Sequence, residues 1–380
     1  MSASDFTIIR PVDVRNATLT SSTITEADYG AYNAGTTYAL GDRCIVVSPT
    51  STVTITNASP AVVSWTAHGQ PVGTKIVFST TGTLPAGITA GTVYYVVAVT
   101  ADTFKISDQA GGNPLNTTSA GSGTHTATCE VHEIYESLQA GNLAHYPRLA
   151  ASSTWWLLVG ATNRWQMFDQ KYNSQSTKTD TIVVVLTPGE LINAIAVLNV
   201  EGASVRVQQS ISGYDSTQYL NSHLVDNWYD WFYEPLIRTG DLVFAAIPPY
   251  ASGVLTVTVD NTGDTARLGC LIYGTSRTLG LTRWNPERTI NDYSTTSEDQ
   301  WGNVTLVPRT YSKRMNAEFY MTQGFEPEVT RLLEEYRATP IVVIGSSDYS
   351  STIIYGWLGS WAVPITNEMK PATITIKGLV

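Results

Sequence analysis

Cysteine, histidine and charge are all in short supply in this chain. Its 380 residues include three cysteines, Cys44, Cys129 and Cys270. None stands in a C-x-x-C pair, and the odd number argues against both a disulfide framework and a zinc site, so reduced thiols are expected. The histidines His68, His125, His132, His145 and His223 are scattered, and none pairs with a serine or cysteine in a nucleophile elbow. The stretch HEIYES begins like a zinc-protease helix but carries Glu136 where the second histidine would stand. No glycine-rich phosphate loop precedes a helix, since GSGTH runs on into β-type sequence. The turn DNTGD offers oxygen ligands that a calcium ion could use, but turn chemistry accounts for the same residues. No catalytic residue, metal or cofactor is therefore assigned from the sequence.

Charged residues make up only 14% of the chain, and the 22 Lys and Arg against 32 Asp and Glu leave a net charge of −10. That balance repels phosphate backbones, and no basic cluster with interleaved aromatics reverses it locally, so nucleic acid is not an expected partner. The longest apolar runs, TIVVVL and AIAVLNV, are strand-length and far below a membrane span. The first residues lack a basic region followed by an apolar stretch. The expectation is a chain that folds where it is made and inserts in no membrane.

What the chain does have is aromatic residues, at 10%, with abundant Gly, Thr, Ser and Val, a composition that favours strands. Its length exceeds one ordinary core. The expected fold is mainly β and multidomain. Residues 1–26 read as an N-terminal arm. Residues 27–50 open a tyrosine-and-glycine hairpin, AYNAGTTYALGDRC, whose other half resumes at 128–165; residues 51–127, short alternating runs between Gly, Pro and Asn turns, form a β mini-domain inserted at its tip. Residues 166–283 carry the strands DTIVVVLTP, INAIAVLNVEG, ASVRVQQSI, DLVFAAIP, GVLTVTVDN and RLGCLIYG, a central jelly roll or β-sandwich. Residues 284–380 read as an α+β assembly domain with one helix, EPEVTRLLEEYRATP. Pro327 suits its first position, Val329, Leu332, Leu333 and Tyr336 give its apolar stripe, and Pro340 stops it. Within the central block, DNWYDWFYEP sets Asp226, Asp230 and Glu234 at four-residue steps among aromatics. Carboxylates between aromatics suit a glycosidase, but one helix cannot face two carboxyls across a cleft; the alternative is an aromatic-anchored loop closing the end of the jelly roll.

The phrases GTLPAGITAGTVYYVV and DTFKIS of the insert resemble a small β module that recurs in bacteriophage tail and tail-fibre proteins. Around the insert, Tyr32, Gly35, Tyr38, Gly41, Asp42, Tyr135, Ser137, Leu138, Asn142, Pro147, Trp155 and Trp156 resemble the small chitin-binding modules of carbohydrate-active enzymes. That likeness implies a split carbohydrate-binding module in which Trp155, Trp156, Tyr135, Tyr38 and Tyr32 stack on sugar rings. Adjacent Trp155 and Trp156 point to opposite faces of an extended segment, so only one can be exposed, and either could instead fill the core of so small a domain. Cys44 and Cys129, which bracket the insert, are expected on neighbouring strands. The central strands are similar to the discoidin-like jelly roll, ATNRWQMFD and RLGCLIYG resemble phrases of tail and baseplate proteins, and the C-terminal strand–helix–strand order is similar to ring-forming tail-tube and baseplate domains.

Together these likenesses imply a structural virion protein, not an enzyme, from the tail tip or baseplate of a tailed bacteriophage, assembled in the host cytoplasm. Its expected partners are other tail and baseplate proteins and copies of itself in a three- or six-fold ring, with the split module and its insert projecting outward toward a host cell-surface glycan. Two alternatives remain at this point: a host-receptor-binding adhesin of the tail, and a polysaccharide-degrading enzyme carrying a binding module.

Overall fold

The computed structural model of the chain describes residues 5–220, 227–233, 239–283, 286–321, 324–346, 349–364 and 371–380, with the side chains of Asp230 and Trp231 outside the description. The fold is mainly β, with several sheets and a closed barrel. Among the described residues no helix is long and apolar enough to cross a membrane. The chain divides into two compact units: residues 15–17 and 25–165 form the smaller, and 1–14, 18–24 and 166–380 the larger.

In the smaller unit, six short strands close into a barrel in the order Thr50–Ile55, Val63–Ser64, Thr103–Ser107, Val93–Val99, Lys75–Thr80, His125–Cys129. Closure leaves no strand edge unpaired. Each strand alternates: Ile76 and Phe78, Tyr94 and Val96, Phe104 and Ile106, Ala127 and Cys129 point inward and are buried, the period-2 pattern that set these segments apart as strands. The turn Pro85–Ile88 is closed by the Ile88 amide on the Pro85 carbonyl (3.0 Å). It needs Gly87 because φ there is +105°, a region that costs an L side chain dearly. Beside the barrel lies a three-stranded antiparallel sheet in the order Trp156–Ala161, His132–Ser137, Arg43–Val47. Arg43 lies opposite Glu136 and Cys44 opposite Tyr135, so segments separated by the whole barrel in sequence are neighbours in the sheet.

Barrel and sheet share one core. Tyr38, Cys44, Val46, Tyr135 and Trp156 of the sheet region belong to the same buried cluster as Val53, Ile76, Phe78, Phe104 and Cys129 of the barrel. Gly69, at φ +59°, lies so near Tyr146 that an added Cβ would sit 2.4 Å from its ring. The insert is therefore not a separate mini-domain at the tip of a hairpin: apolar faces too small to be covered separately are buried against each other. Cys44 and Cys129 do not occupy neighbouring strands either. Cys44 pairs with Tyr135 in the sheet and Cys129 with Ile76 in the barrel, and both are free, buried thiols that burial pushes up to about 12.

The larger unit is organised by the strand Leu255–Thr282. Its first part is flanked by Ser204–Gln209 and Ser176–Leu186, with Val207 and Val184 both opposite Val257. Ala194–Glu201 follows, with Val197 opposite Leu271, and then Asp5–Pro11, with Ile9 opposite Ser276. The sheet continues through Ile341–Ile344, Ile353–Ala362, Ala372–Gly378 and Tyr311–Tyr320 to Glu287–Asp292. Three expectations are corrected here. Residues 5–11 are no arm: Ile8 is buried in one core and Ile9 in another, one on each face of the sheet, which places this strand in the middle of the unit. No boundary falls near residue 283, because Asp5–Pro11 joins the strands on either side of it and Leu281 pairs directly with Tyr320. Finally, DNTGD does not reverse the chain. It bulges out of one continuous strand, the Asp260 carboxylate accepting from the Thr262 hydroxyl (2.7 Å) and the Gly263 amide donating to Asp180 (2.9 Å), so local polar groups satisfy the bulge while pairing resumes at Thr265.

The helix Glu326–Glu335 buries Val329, Leu332 and Leu333 in the same core as Phe6, Met315, Phe319 and Ile374, each side chain contributing on the order of 1.5–3 kcal/mol. Glu326 and Glu328 in its first turn complement the positive end of the helix dipole. It ends well before Pro340, as Ala338 turns to φ +55°.

Candidate functional site

Of the residues that carry the likeness to chitin-binding modules, Tyr32, Tyr38, Gly41, Asp42, Tyr135, Ser137, Leu138, Asn142, Trp155 and Trp156 come together on and beside the three-stranded sheet of the smaller unit. Tyr38 and Asn142 exchange backbone hydrogen bonds (2.9 and 3.1 Å), and Gly41 and Asp42 do the same with Ser137 (2.8 Å each). The Asp42 carboxylate accepts from the Ala39 amide (2.7 Å), closing the Gly-Asp corner. Fully buried Asn142 donates to the Ser137 hydroxyl (3.0 Å) and the Trp155 carbonyl (3.3 Å), and its Oδ1 lies 3.1 Å from His145 Nδ1. One side-chain amide thus ties its own loop to the end of the strand His132–Ser137 and to the residue before Trp156–Ala161, as a buried polar group must when water is excluded.

The five aromatics that this likeness marks for sugar stacking divide by burial. Trp156, at 4% exposure, Tyr135 at 7% and Tyr38 at 8% are core residues. Trp156 meets Tyr38 edge-on at 4.9 Å and Tyr32 at 6.1 Å, and its indole N–H donates to the His145 carbonyl (2.7 Å). Tyr32 and Tyr38 stack at 6.0 Å. The Tyr135 hydroxyl donates to Glu133 (2.7 Å), and burial first, then the Glu133 charge, pushes its ionisation far upward. Three of the five therefore have no free face for a pyranose ring. Trp155 and Tyr32 are half-buried; Trp155 stacks flat on His145, centroids 3.9 Å apart. Trp155 and Trp156 do not split between two faces of a strand: Trp155 lies in the turn before the strand Trp156–Ala161, half-buried and packed against the same core that buries Trp156.

Polar clusters that the sequence did not announce surround this centre. Arg148, nearly buried, pairs with Glu133 and donates to the Thr74 hydroxyl (3.0 Å), which joins the sheet region to the barrel. Where the chain enters and leaves the unit, Glu26 Oε1 accepts from His132 Nδ1 (2.7 Å) and from the Thr162 hydroxyl (2.8 Å), Asp28 accepts from the Asn163 amide (2.7 Å), and His132 stacks on Trp165 at 3.9 Å. Burial by itself would raise the Glu26 carboxyl; the hydrogen bond from His132, its charge, Thr162 and Arg164 outweigh it and hold the carboxyl below its ordinary value of 4.5. A carboxyl lowered in the folded state contributes stability that is present above its unfolded pKa and lost as pH falls through the folded one. The Glu26→Gln variant is accordingly expected to be less stable than the parent at pH 7, with the difference shrinking below about pH 4.5. Thermal unfolding at a series of pH values measures it, and an equal deficit at pH 7 and pH 3 would remove the carboxylate's role.

In the larger unit, Lys313 pairs with Asp241, and Tyr172 donates to both Asp241 oxygens (2.9 and 3.2 Å) while accepting from Lys313 (2.7 Å). Burial first, then the Asp241 charge, raises the Tyr172 hydroxyl, which keeps it a proton donor to the carboxylate and unsuited to act as a base. The remaining described histidines are engaged in the fold. His68 Nδ1 accepts from the Gln70 amide (2.9 Å) and its Nε2 lies 2.9 Å from the Thr100 carbonyl; His125 lies 2.9 Å from the Thr80 hydroxyl. His223, Asp226 and Glu234 lie outside the described residues, as does the side chain of Asp230. Of DNWYDWFYEP, residues Trp228–Tyr233 form a short helix on which Trp228, Tyr229, Phe232 and Tyr233 are exposed, so these rings do not anchor the loop to a core. Among the described residues no cluster of three or more His, Cys, Asp or Glu could hold a metal ion.

No protein-family model matches the chain, and no curated protein matches its sequence.

Proposed function

We propose that the protein is a structural component of the tail tip or baseplate of a tailed bacteriophage, built to join copies of itself and neighbouring tail proteins. The observation that carries this reading is the use to which the smaller unit puts its marked residues. The segments that resemble phage tail modules build the barrel wall, those that resemble a chitin-binding module build the sheet beside it, and both spend their aromatics on a common core. Such a body suits a rigid part better than a reaction vessel. The surface supports the same reading. Among the described residues, Leu157, Leu158 and Val159 are exposed on an unpaired edge of the three-stranded sheet, and Trp301, Val304 and Leu306 on a hairpin whose two strands, Thr295–Glu298 and Val304–Val307, pair with each other and with no other strand. Apolar patches and lone hairpins of this kind are what subunit neighbours cover. Negative-stain electron microscopy of the purified protein is expected to show three- or six-fold rings, and immunogold labelling of the parent virion a label at the tail end. A monomer at every concentration together with an unlabelled tail overturns the proposal.

The exposed aromatic row Trp228, Tyr229, Phe232 and Tyr233 favours a second reading, a host-surface adhesin, because a solvent-facing ring is what stacks on a sugar. Its expected result is binding of the intact protein to host envelopes that Trp228→Ala abolishes; equal binding by parent and variant would end it.

A further inference from the structure

The strand Glu287–Asp292 ends the large sheet. It pairs on one side with Tyr311–Tyr320, six consecutive partners without a register shift, and among the described residues nothing pairs with its other side. Every residue of it is exposed. Edges left open to water are ordinarily blunted by a bulge, a proline or charged side chains, lysine above all. This one, ERTIND, has neither bulge nor proline, and its exposed charges, Glu287, Arg288 and Asp292, are of both signs; among the described residues Trp156–Ala161 and Leu19–Ser22 are edges with a register irregularity, and Asp215–Tyr219 is an edge without one that carries a single sign of charge. Its row of unspent backbone donors and acceptors is therefore a template for another strand.

The sequence of the edge says which strand. In an antiparallel pair related by a two-fold axis perpendicular to the sheet, residues opposite each other share a face, so their numbers have equal parity. With Ile290 on the axis, Arg288 of each copy lies opposite Asp292 of the other, Thr289 opposite Asn291, and the 60%-exposed Ile290 side chains meet at the centre. The adjacent registers of the same parity place Ile290 opposite Arg288 or opposite Asp292, and the next ones set Arg288 against Arg288 or Asp292 against Asp292. Opposite charges across strands favour a pairing and like charges oppose it, so one register is selected. We propose that Glu287–Asp292 pairs antiparallel with the same strand of a second copy of this chain, in the register centred on Ile290. The contact is isologous and closes at two copies. It continues each sheet into its neighbour and covers Ile290. It does not depend on a phage role, and any larger ring is built through other surfaces.

Cross-linking and charge reversal test it in the full chain. The three native cysteines are buried, which keeps background linkage low. Ile290→Cys on the axis is expected to give a disulfide-linked dimer on mild oxidation, whereas Asn291→Cys, which faces Thr289 of the other copy, is not. In sedimentation velocity, Arg288→Asp and Asp292→Arg are each expected to weaken the two-fold association by about tenfold or more, as two attractive pairs become repulsive. The double reversal restores it. Absence of an Ile290→Cys dimer, or equal linkage of the two cysteine variants, overturns the register; single reversals that leave the association unchanged overturn the interface.

Discussion

Replacing Trp156 by alanine is expected to lower the stability of the smaller unit by about 3–5 kcal/mol, the range for deleting a large aromatic from a packed core. Three losses coincide at this residue. The ring fills the space between Tyr38, at 4.9 Å, and Tyr32, at 6.1 Å; its N–H satisfies the His145 carbonyl at 2.7 Å; and its neighbours belong to the core shared with the barrel, so the cavity cannot collapse without moving both parts. Urea unfolding followed by hydrogen exchange at Ile76 and Phe104, barrel residues far away in sequence, measures whether the two parts fail together. Trp155→Ala, at a half-buried ring stacked on His145, is expected to cost about 1–2 kcal/mol, less than the buried neighbour. If Trp156→Ala stays within 1 kcal/mol of the parent, or if the barrel amides keep their protection, the shared core is refuted. The comparison also bears on sugar binding: any loss of binding in Trp156→Ala reports unfolding, because that ring has no face to offer.

Lys313→Met is expected to have a similar effect in the larger unit, about 3–5 kcal/mol, because removing one partner of a buried ion pair leaves the other uncompensated. Lys313 and Asp241 are only 12% and 8% exposed in their side chains. Without the ammonium, the Asp241 carboxylate retains the Tyr172 hydroxyl and the Asn199 amide (3.0 Å), two donors but no countercharge. The double variant Lys313→Met, Asp241→Asn removes both charges and keeps those donors' geometry, so it is expected to be more stable than either single variant at pH 7. A double-mutant cycle by chemical denaturation reads the coupling directly. Additive losses, with the double variant the least stable of the set, would show that the two groups act independently.

Much of the local structure was legible in the residues. Alternation in KIVFST, TFKIS and HTATC marks strands because a pleated backbone sends successive side chains to opposite faces, and the barrel interior follows that parity. The helix at 326–335 was readable from Pro327 and from the spacing of Val329, Leu332 and Leu333. The likeness of Tyr38, Gly41, Asp42, Ser137 and Asn142 to a known module marked residues that do converge, although their hydrogen bonds serve the corner and the loops. DNTGD misled because the same Asx chemistry that closes a turn can also close a bulge; nothing in five residues says whether the strands on either side continue in line. DFTIIRP misled for a related reason. An apolar pair such as Ile8 and Ile9 reads alike in an arm and in a strand buried on both faces, and the difference lies in partners hundreds of residues away.

Composition and pattern alone determined that this chain is built of strands, where most of them run, and that an amphipathic helix lies near the C-terminus. These are properties of a residue and its near neighbours, set by backbone sterics, side-chain alternation and turn chemistry. Only the tertiary structure decided that barrel and sheet are one body, that the first strand is central, that Trp156 is fully buried while Trp155 lies half-buried at the margin of the same core, and that Lys313 meets Asp241. Those outcomes depend on which apolar faces cover each other and which charges are shut away from water together, and burial is a property of the whole folded chain.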